Sequence, residues 1–191
     1  MCVCVARLVP GKGQDRLVEA WPAVTKEIPD AQLVLVGDGS DRGKLRELAL
    51  TGRVSRQVHF AGEIPSESAE LPRHYAAADV FAMPCRPVLD GAGHEAFGIA
   101  YLEAAASGLP VIAGLSGGAP ETVVHDETGL LVDGDDVAAI SSAVVQLLLD
   151  PVLSRRMGTA GRSRIEAGFS WDNVLATFAD YVTDAVAGAV R

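Results

Sequence analysis

The 191-residue sequence has little lysine and no cluster of positive charge. Lysine occurs only at Lys12, Lys26 and Lys44, so arginine supplies most of the positive charge. The formal net charge is −9 at pH 7. Without a basic stripe along any segment, nucleic acid is not expected as a partner.

Long apolar runs and a cysteine framework are also missing. The short apolar start, residues 1–6, lacks a basic leader and a cleavage site, so no signal peptide is expected. The C-terminal Ala/Val run contains Asp184 and is too short and too polar to span a bilayer. Cys2, Cys4 and Cys85 have neither disulfide nor metal-site spacing, and we predict buried thiols in a reducing cytoplasm.

Strand-like and helix-like segments alternate along the chain with short connections. Leu33 to Val36 is a continuous apolar run, which is typical of a strand buried on both faces of a parallel sheet. Strands are expected at residues 2–6, 33–36, 58–60, 80–83, 111–113 and 129–132. Helices are expected at residues 14–28, 44–50, 71–78, 97–107, 137–149, 152–167 and 171–190. Pro22 should cost the first helix a hydrogen bond or kink it.

This order predicts an α/β fold, a doubly wound parallel sheet of the Rossmann-like type, formed as one domain by residues 1–191. The last three helices, in residues 137–191, belong to the same domain. Ligands of such sheets bind at the carboxyl ends of the strands. The loops that follow the strands are residues 7–13, 37–39, 61–63, 84–97 and 114–121, and function is expected there.

Arg7 and Lys12 flank the first of these loops, which also carries Gly11 and Gly13. A nucleotide diphosphate needs positive charge and a backbone that side chains do not obstruct. The alternative is that both are ordinary solvated residues of a surface loop.

The segment from Glu95 to Glu103 places two carboxylates on either side of an expected helix start near Gly98 and Ile99. The free N–H groups of a helix start favour a phosphate. Carboxylates beside a diphosphate would repel it unless they faced other groups, and sugar hydroxyls are the natural partners. The alternative is that Glu95 is a helix N-terminal charge and Glu103 a solvated helix residue.

Two glycines and a proline follow the fifth strand, in residues 116–121. Such a turn could cradle an anion with its amides. A plain turn without a ligand is an equally good interpretation.

Together these segments resemble a known family. In chain order they are Arg7-x4-Lys12-Gly13, the Val-Gly-Asp-Gly of residues 36–39, the Glu95-x7-Glu103 block, Ser-Gly-Gly-Ala-Pro-Glu at 116–121, and Glu-Thr-Gly-Leu-Leu-Val at 127–132. This combination resembles the C-terminal, donor-binding domain of family 4 glycosyltransferases, which have the GT-B fold. Residues 83–121 are particularly similar to phosphatidylinositol-mannoside α-mannosyltransferases, which use GDP-mannose.

The resemblance implies roles for matching positions. Arg7 and Lys12 would hold the diphosphate and stabilise the leaving nucleotide. Glu95 would bind the sugar hydroxyls. These three residues would be the catalytic ones. Glu103 would bind the ribose, and residues 58–63 would line the base. The implied substrate-binding set is Arg7, Lys12, Gly37, Phe60, Glu63, Glu95, Phe97, Gly98, Ile99 and Glu103. His94 would lie near the sugar, and neither a metal nor another cofactor is required.

The resemblance also implies a partner domain. Family members carry an N-terminal domain that binds the acceptor, and we expect it to be missing from this chain. The donor would be GDP-mannose, with UDP-sugars as the alternative, and a hexose would pass with retention to an acceptor such as a glycolipid. The protein would be cytoplasmic, at the inner membrane surface when joined to the missing domain. Helix 171–190 carries an apolar stripe and should self-associate in the isolated domain.

Two other functions are compatible with these motifs. The chain could be a non-catalytic nucleotide-sugar-binding module or a subunit completed by a partner chain. It could also be an epimerase of the same architecture, although the additional catalytic carboxylates and histidines of such enzymes have no evident counterpart here.

Overall fold

A computed structural model of the chain describes residues 1–88 and 95–189. Six parallel strands form one sheet in the order β3-β2-β1-β4-β5-β6. The strands are β1 (Cys2–Val5), β2 (Leu33–Val36), β3 (Val58–Gly62), β4 (Val80–Met83), β5 (Val111–Gly114) and β6 (Gly129–Val132). The prediction of a doubly wound, Rossmann-like parallel sheet is therefore confirmed.

Helices follow every strand, as parallel connections require. They are α1 (Gln14–Glu27), α2 (Arg42–Thr51), α3 (Glu70–Ala76), α4 (Ile99–Ala106), α5 (Ala119–Thr122), α6 (Val137–Leu149), α7 (Pro151–Gly168) and α8 (Trp171–Ala189). Pro22 does not interrupt α1, whose residues run from Gln14 to Glu27, and the proline itself is exposed.

The strands at the centre are apolar along their whole length because helices cover both faces of the sheet. All four residues of β4 and of β5 are buried. Helix α1 packs against α6, and α4 packs against α7. Right-handed crossovers that run in opposite directions along the sheet place α1 and α4 on opposite faces. The three cysteines are buried and unbridged, as predicted.

Helix α4 begins at Ile99, which agrees with the start expected near Gly98 and Ile99. The helical pattern that extends back to Phe97 is therefore two residues too long at this end. Gly98 has φ 90°, in the left-handed region, so the chain turns sharply there before the helix can start.

Strand order reverses between β1 and β4, which lie side by side at the centre of the sheet. The chain leaves β1 toward one edge and leaves β4 toward the other, so the loops that follow the two strands diverge and open a crevice. This crevice is the natural ligand position of a doubly wound sheet.

The loops after β1 and β4 nevertheless come into close contact near the sheet. Gly13 has φ 82°, and a Cβ atom on it would lie 2.0 Å from the carbonyl oxygen of Pro84. Only glycine allows this combination of left-handed backbone and close approach. The contact holds the loop that carries Lys12 against the first residue after β4.

Within the described residues, no single helix is long and apolar enough to cross a membrane. One strongly bent helix pair, Val137–Leu149 with Pro151–Thr183, would pass by length and composition alone.

Gly13→Ala should destabilise the fold. We expect a loss of roughly 2–5 kcal/mol in the free energy of unfolding, from left-handed backbone strain and from the clash with Pro84. Denaturant titration measures it. Gly43→Ala in α2 is the control, because a Cβ there meets nothing within 4 Å. That variant should be unchanged or up to about 1 kcal/mol more stable. Equal stability of the two variants would contradict the inferred close contact.

Candidate functional site

Two adjoining pockets open at the carboxyl edge of the sheet. The β1–β4 pocket, of about 330 Å³, lies over the switch point and includes Lys12, Glu95 and Phe97 in its lining. The β1–β2 pocket, of about 280 Å³, lies beside it and includes Glu103. Residues common to both are Val5, Ala6, Arg7, Ile99 and Ala100. The two pockets therefore form one continuous cleft.

The β1–β4 pocket contains an ion pair between the two loops. Lys12 Nζ lies 2.6 Å from Glu95 Oε2, although the residues are 83 positions apart in the chain. The Lys12 side chain is 25% exposed and that of Glu95 9%. The geometry puts a cation and an acceptor side by side, where one can face an anion and the other hydroxyl groups.

Arg7 lies where the two pockets meet. Its side chain is exposed, and it lines both pockets. Its carbonyl oxygen accepts a hydrogen bond of 2.9 Å from the Gln14 side-chain amide, which fixes the loop at the start of α1. The guanidinium is thus carried on a fixed backbone at the centre of the cleft.

The N-terminus of α4 points at the same cleft. Gly98 precedes the helix and provides no side-chain cap, and Ile99 and Ala100 line both pockets. The first amides of a helix lack intrahelical partners and carry partial positive charge. A Cβ on Gly98 would lie 2.2 Å from the Tyr101 ring. The buried Tyr101 hydroxyl in turn donates to the carbonyl oxygen of Met83 at 2.7 Å.

Glu103 lines the β1–β2 pocket one helical turn after Ile99. Its Oε2 accepts a hydrogen bond of 2.6 Å from the hydroxyl of Tyr75 on α3. Burial, and then the neighbouring Glu103 carboxylate, raise the pKa of Tyr75 above its ordinary value. The phenol is therefore protonated at neutral pH and donates this hydrogen bond.

Gly37 and Glu63 complete the far end of the β1–β2 pocket. Gly37 has φ 133°, and a Cβ there would lie 2.1 Å from the carbonyl oxygen of Ala6. Phe60 is not among the lining residues of either pocket. It lies in β3 with the guanidinium of Arg46 5.4 Å from its ring centroid.

Phe97 lies at the opposite rim of the cleft. It lines the β1–β4 pocket, and its ring centroid is 6.1 Å from that of Phe169. Phe97 also lines an apolar groove that includes Phe169, Val174, Phe178 and Tyr181. The β1–β4 pocket is therefore continuous, through Phe97, with the exposed side of α8.

The glycine turn after β5 supports the Glu95 segment. The Gly118 amide donates to the carbonyl oxygen of Glu95 at 2.8 Å, and a Cβ on Gly117 would lie 1.9 Å from that oxygen. The Gly118 amide is thus already engaged by the protein, which favours a plain turn over an anion cradle. His94 lies outside the described residues.

An ionic network that the sequence motifs did not predict connects the loops after β1 and β4. Arg86 follows β4 and forms two hydrogen bonds to Asp15 at the start of α1, at 2.9 and 2.7 Å. Its Nε lies 3.0 Å from Asp135, and its backbone amide donates to Gly11 at 2.9 Å. Arg86 therefore ties the β4 loop to the loop that carries Lys12. The sequence signal that could have indicated a role for Arg86 is its place in the loop that follows β4.

Asp15 is buried, yet it is charged. Burial by itself would raise the pKa of this carboxyl, but the hydrogen bonds and charges of Arg86 and Lys44 outweigh it and lower the pKa to about 2. The carboxylate is therefore ionised at neutral pH.

The fold and the cleft together define a doubly wound α/β domain with an open cleft at its switch point. The chain belongs to the family described as glycosyl transferases group 1, whose model matches residues 1–164. The family resemblance inferred from the motifs is thereby confirmed.

A curated relative from Mycobacterium tuberculosis (strain ATCC 25618 / H37Rv) is similar over most of the chain. It is a GDP-mannose-dependent alpha-(1-6)-phosphatidylinositol monomannoside mannosyltransferase, 49% identical over 180 residues. The match covers 94% of this chain and 46% of the relative. The chain thus spans about half the length of the curated relatives it matches.

Solved structures of glycosyltransferases share the fold. Sucrose-phosphate synthase from Thermosynechococcus elongatus superposes with a TM-score of 0.83 at 33% identity, over 98% of this chain and 46% of that one. The C-terminal domain of a glycosyl transferase group 1 family protein (LpcC) from Francisella tularensis has a TM-score of 0.77 at 26% identity. That match covers 89% of this chain and 86% of the domain. The sheet is accordingly of the kind found in GT-B enzymes.

Arg86→Ala should destabilise the protein by roughly 2–4 kcal/mol, because it leaves the buried Asp15 carboxylate without its bidentate partner. Arg162→Ala is the control. Arg162 pairs with Glu166 in α7 with side chains 60% and 65% exposed, and exposed pairs contribute about 0–1 kcal/mol. Chemical denaturation at pH 7 distinguishes the two.

The Asp15–Arg86 pair should also affect how the free energy of unfolding depends on pH. Because the folded pKa of Asp15 lies below its ordinary value of 3.8, its contribution is complete above about pH 4 and disappears as the pH falls toward about 2. The stability of Arg86→Ala should vary less over this window than that of the wild type. Parallel curves of stability against pH for the two proteins would contradict the assignment of this pH dependence to the Asp15–Arg86 pair.

Proposed function

We propose that the chain is the donor-binding domain of a retaining glycosyltransferase that transfers mannose from GDP-mannose to an acceptor such as a glycolipid. One observation carries the proposal. Two cations, Arg7 and Lys12, share the switch-point cleft with an uncapped helix N-terminus and with the carboxylates of Glu95 and Glu103. The Mycobacterium tuberculosis relative is GDP-mannose-dependent, which favours GDP-mannose as the donor, and UDP-sugars are the alternative.

The diphosphate belongs at the centre of the cleft. Ile99 and Ala100 border both pockets there, beside Arg7. The amides of a helix N-terminus bind phosphate oxygens, and an arginine fork adds two parallel donors. This position lets the sugar extend into the β1–β4 pocket and the nucleoside into the β1–β2 pocket.

Glu95 faces the sugar. A carboxylate next to a diphosphate would repel it, but Lys12 at 2.6 Å compensates the charge of Glu95. The same lysine can then contact the phosphate while the carboxylate accepts hydrogen bonds from sugar hydroxyls. The backbone amides of Phe97 and Gly98 lie in the same lining and can add donors.

The nucleoside extends toward β2 and β3. Glu103 accepts from the ribose hydroxyls, and Gly37 and Glu63 border the base. Phe60 does not line the pocket. Any effect of Phe60 on the base would be indirect, through its contact with Arg46. No metal or other cofactor is part of this assignment.

In the reaction, the bond between the anomeric carbon and the phosphate oxygen breaks, and negative charge builds on the departing diphosphate. Donors arranged in advance around that oxygen stabilise the transition state. Arg7, Lys12 and the α4 amides supply them. The acceptor hydroxyl must be held against the same carbon in a closed cleft, and we propose that an N-terminal domain not included in this chain holds it.

The alternative is a non-catalytic nucleotide-sugar-binding module, or a subunit completed by a partner chain. Both readings require the donor cleft, so donor binding does not separate them. Joining the chain to an acceptor domain and measuring mannose transfer separates the non-catalytic module, which predicts no turnover, from the transferase domain and the completed subunit, which both predict it. Turnover that interconverts donor sugars without an acceptor would favour the epimerase instead.

The charged side chains should separate diphosphate binding from sugar binding. By calorimetry, Lys12→Ala should weaken GDP binding by roughly 1.5–3 kcal/mol, the range for hydrogen bonds to charged groups. Lys26→Ala, which removes an exposed lysine from the last turn of α1, should leave it unchanged. Glu95→Ala should weaken GDP-mannose more than GDP. Equal losses for both ligands would refute the sugar role, and absence of any nucleotide binding by the wild type at millimolar concentration would refute the donor site.

The exposed face of α8 should determine how the isolated chain behaves. Its large apolar side chains are exposed, with Phe178 at 66% and Trp171 at 80%. We propose that an N-terminal domain covers this stripe in the complete protein and that the isolated chain self-associates through it.

Sedimentation tests the association, and a transfer assay tests the isolated chain. The chain alone should bind donor, transfer no sugar and form concentration-dependent dimers or larger species. Phe178→Glu should restore a monomer, whereas Ala176→Glu, on the opposite side of α8, should not. A monomeric wild type at high concentration, or transfer by the purified chain, would contradict these expectations.

A further inference from the structure

A tyrosine hydroxyl from the core meets the carboxylate of Glu103. Tyr75 is 2% exposed, and its hydroxyl donates to Glu103 Oε2 at 2.6 Å. Glu103 itself is only partly buried and lines the β1–β2 pocket. One end of this contact is therefore fixed in the interior while the other faces the cleft.

The Tyr75 ring cannot move independently of the core. Its centroid lies 6.0 Å from that of Phe81 in β4, and Phe81 in turn forms an edge-on contact of 5.9 Å with Tyr101. Leu71, one turn earlier on α3, lines the pocket. The helix thus supplies both a wall of the pocket and a hydroxyl held at a set position behind Glu103.

The choice of a phenol has a chemical consequence for the carboxylate. A hydrogen bond to an ionised acceptor is roughly twice as strong as a neutral one, and the donor carries no charge that would compete for the diphosphate. With Oε2 engaged by Tyr75, the Oε1 atom of Glu103 and the remaining lone pair of Oε2 are available to the pocket. Vicinal hydroxyls are the donors that fit such an acceptor.

We propose that Tyr75 is a positioning residue for the nucleoside: it orients Glu103 so that the carboxylate accepts hydrogen bonds from the 2′- and 3′-hydroxyls of the ribose. This inference rests on the proposed function. It assigns to Tyr75 no contact with the ligand, only control over the rotamer of the residue that makes the contact.

The test compares ligands that differ only in those hydroxyls. Binding of GDP, 2′,3′-dideoxy-GDP and pyrophosphate to the 191-residue chain is measured by calorimetry. Tyr75→Phe keeps the ring and removes the donor. It should weaken GDP binding by about threefold to tenfold, the effect of one hydrogen bond. Binding of dideoxy-GDP and pyrophosphate should be unchanged, because neither uses Glu103.

Two controls separate positioning from a general structural effect. Tyr101→Phe removes the other buried hydroxyl of the same aromatic cluster, which bonds Met83 and not Glu103. Any loss there should be equal for GDP and dideoxy-GDP. In a Glu103→Ala background, Tyr75→Phe should have no further effect on GDP binding, since the two act as one unit.

The outcomes are distinct. Equal weakening of GDP and dideoxy-GDP by Tyr75→Phe, or a full additional loss in the Glu103→Ala background, overturns the positioning role and leaves the donor site intact. Unchanged GDP binding by a folded Tyr75→Phe overturns it as well. If the wild type binds none of the three ligands, the proposed function fails, and this inference fails with it.

Discussion

The site depends on how closely the loops after β1 and β4 approach each other. These strands are neighbours in the sheet, but their chains depart in opposite directions, so the loops would separate without a specific contact. Gly13 against the carbonyl of Pro84 provides the contact, and Arg86 reinforces it by bonding Asp15 and the carbonyl of Gly11. This junction fixes the loop that carries Lys12, and Gly118, which donates to the Glu95 carbonyl, holds the other partner of the Lys12–Glu95 ion pair.

Charge is distributed along the cleft so that each part compensates its neighbour. The overall net charge is −9, yet the cleft combines cations and helix amides at its centre with carboxylates on either side. Lys12 neutralises Glu95, and a neutral phenol, not a cation, supports Glu103. Each of these carboxylates is therefore held by a donor of the protein itself, while Arg7 and the first amides of α4 carry the positive charge at the centre of the cleft.

The sequence was informative about the elements and much less about their ends. Apolar runs located β4, β6 and α6 to the residue, because a buried strand or a helix bounded by polar residues is a local pattern. The N-terminal end of α4 illustrates this, since the predicted segment includes Phe97 whereas the helix begins at Ile99, after the left-handed Gly98. Residues that follow the strands do line the cleft, as their positions predicted. Phe60, which the resemblance grouped with the base, lines neither pocket and lies against Arg46.

By itself, the sequence determined the fold class and the family, because these follow from local periodicity and from motifs read in order. Which side chains meet was decided by the tertiary structure alone. Lys12 and Glu95 are 83 positions apart, Asp15 and Arg86 71, and Tyr75 and Glu103 28. Contacts at such separations depend on strand order, on register and on the packing of helices. These are fixed only when the sheet and its helices have packed together.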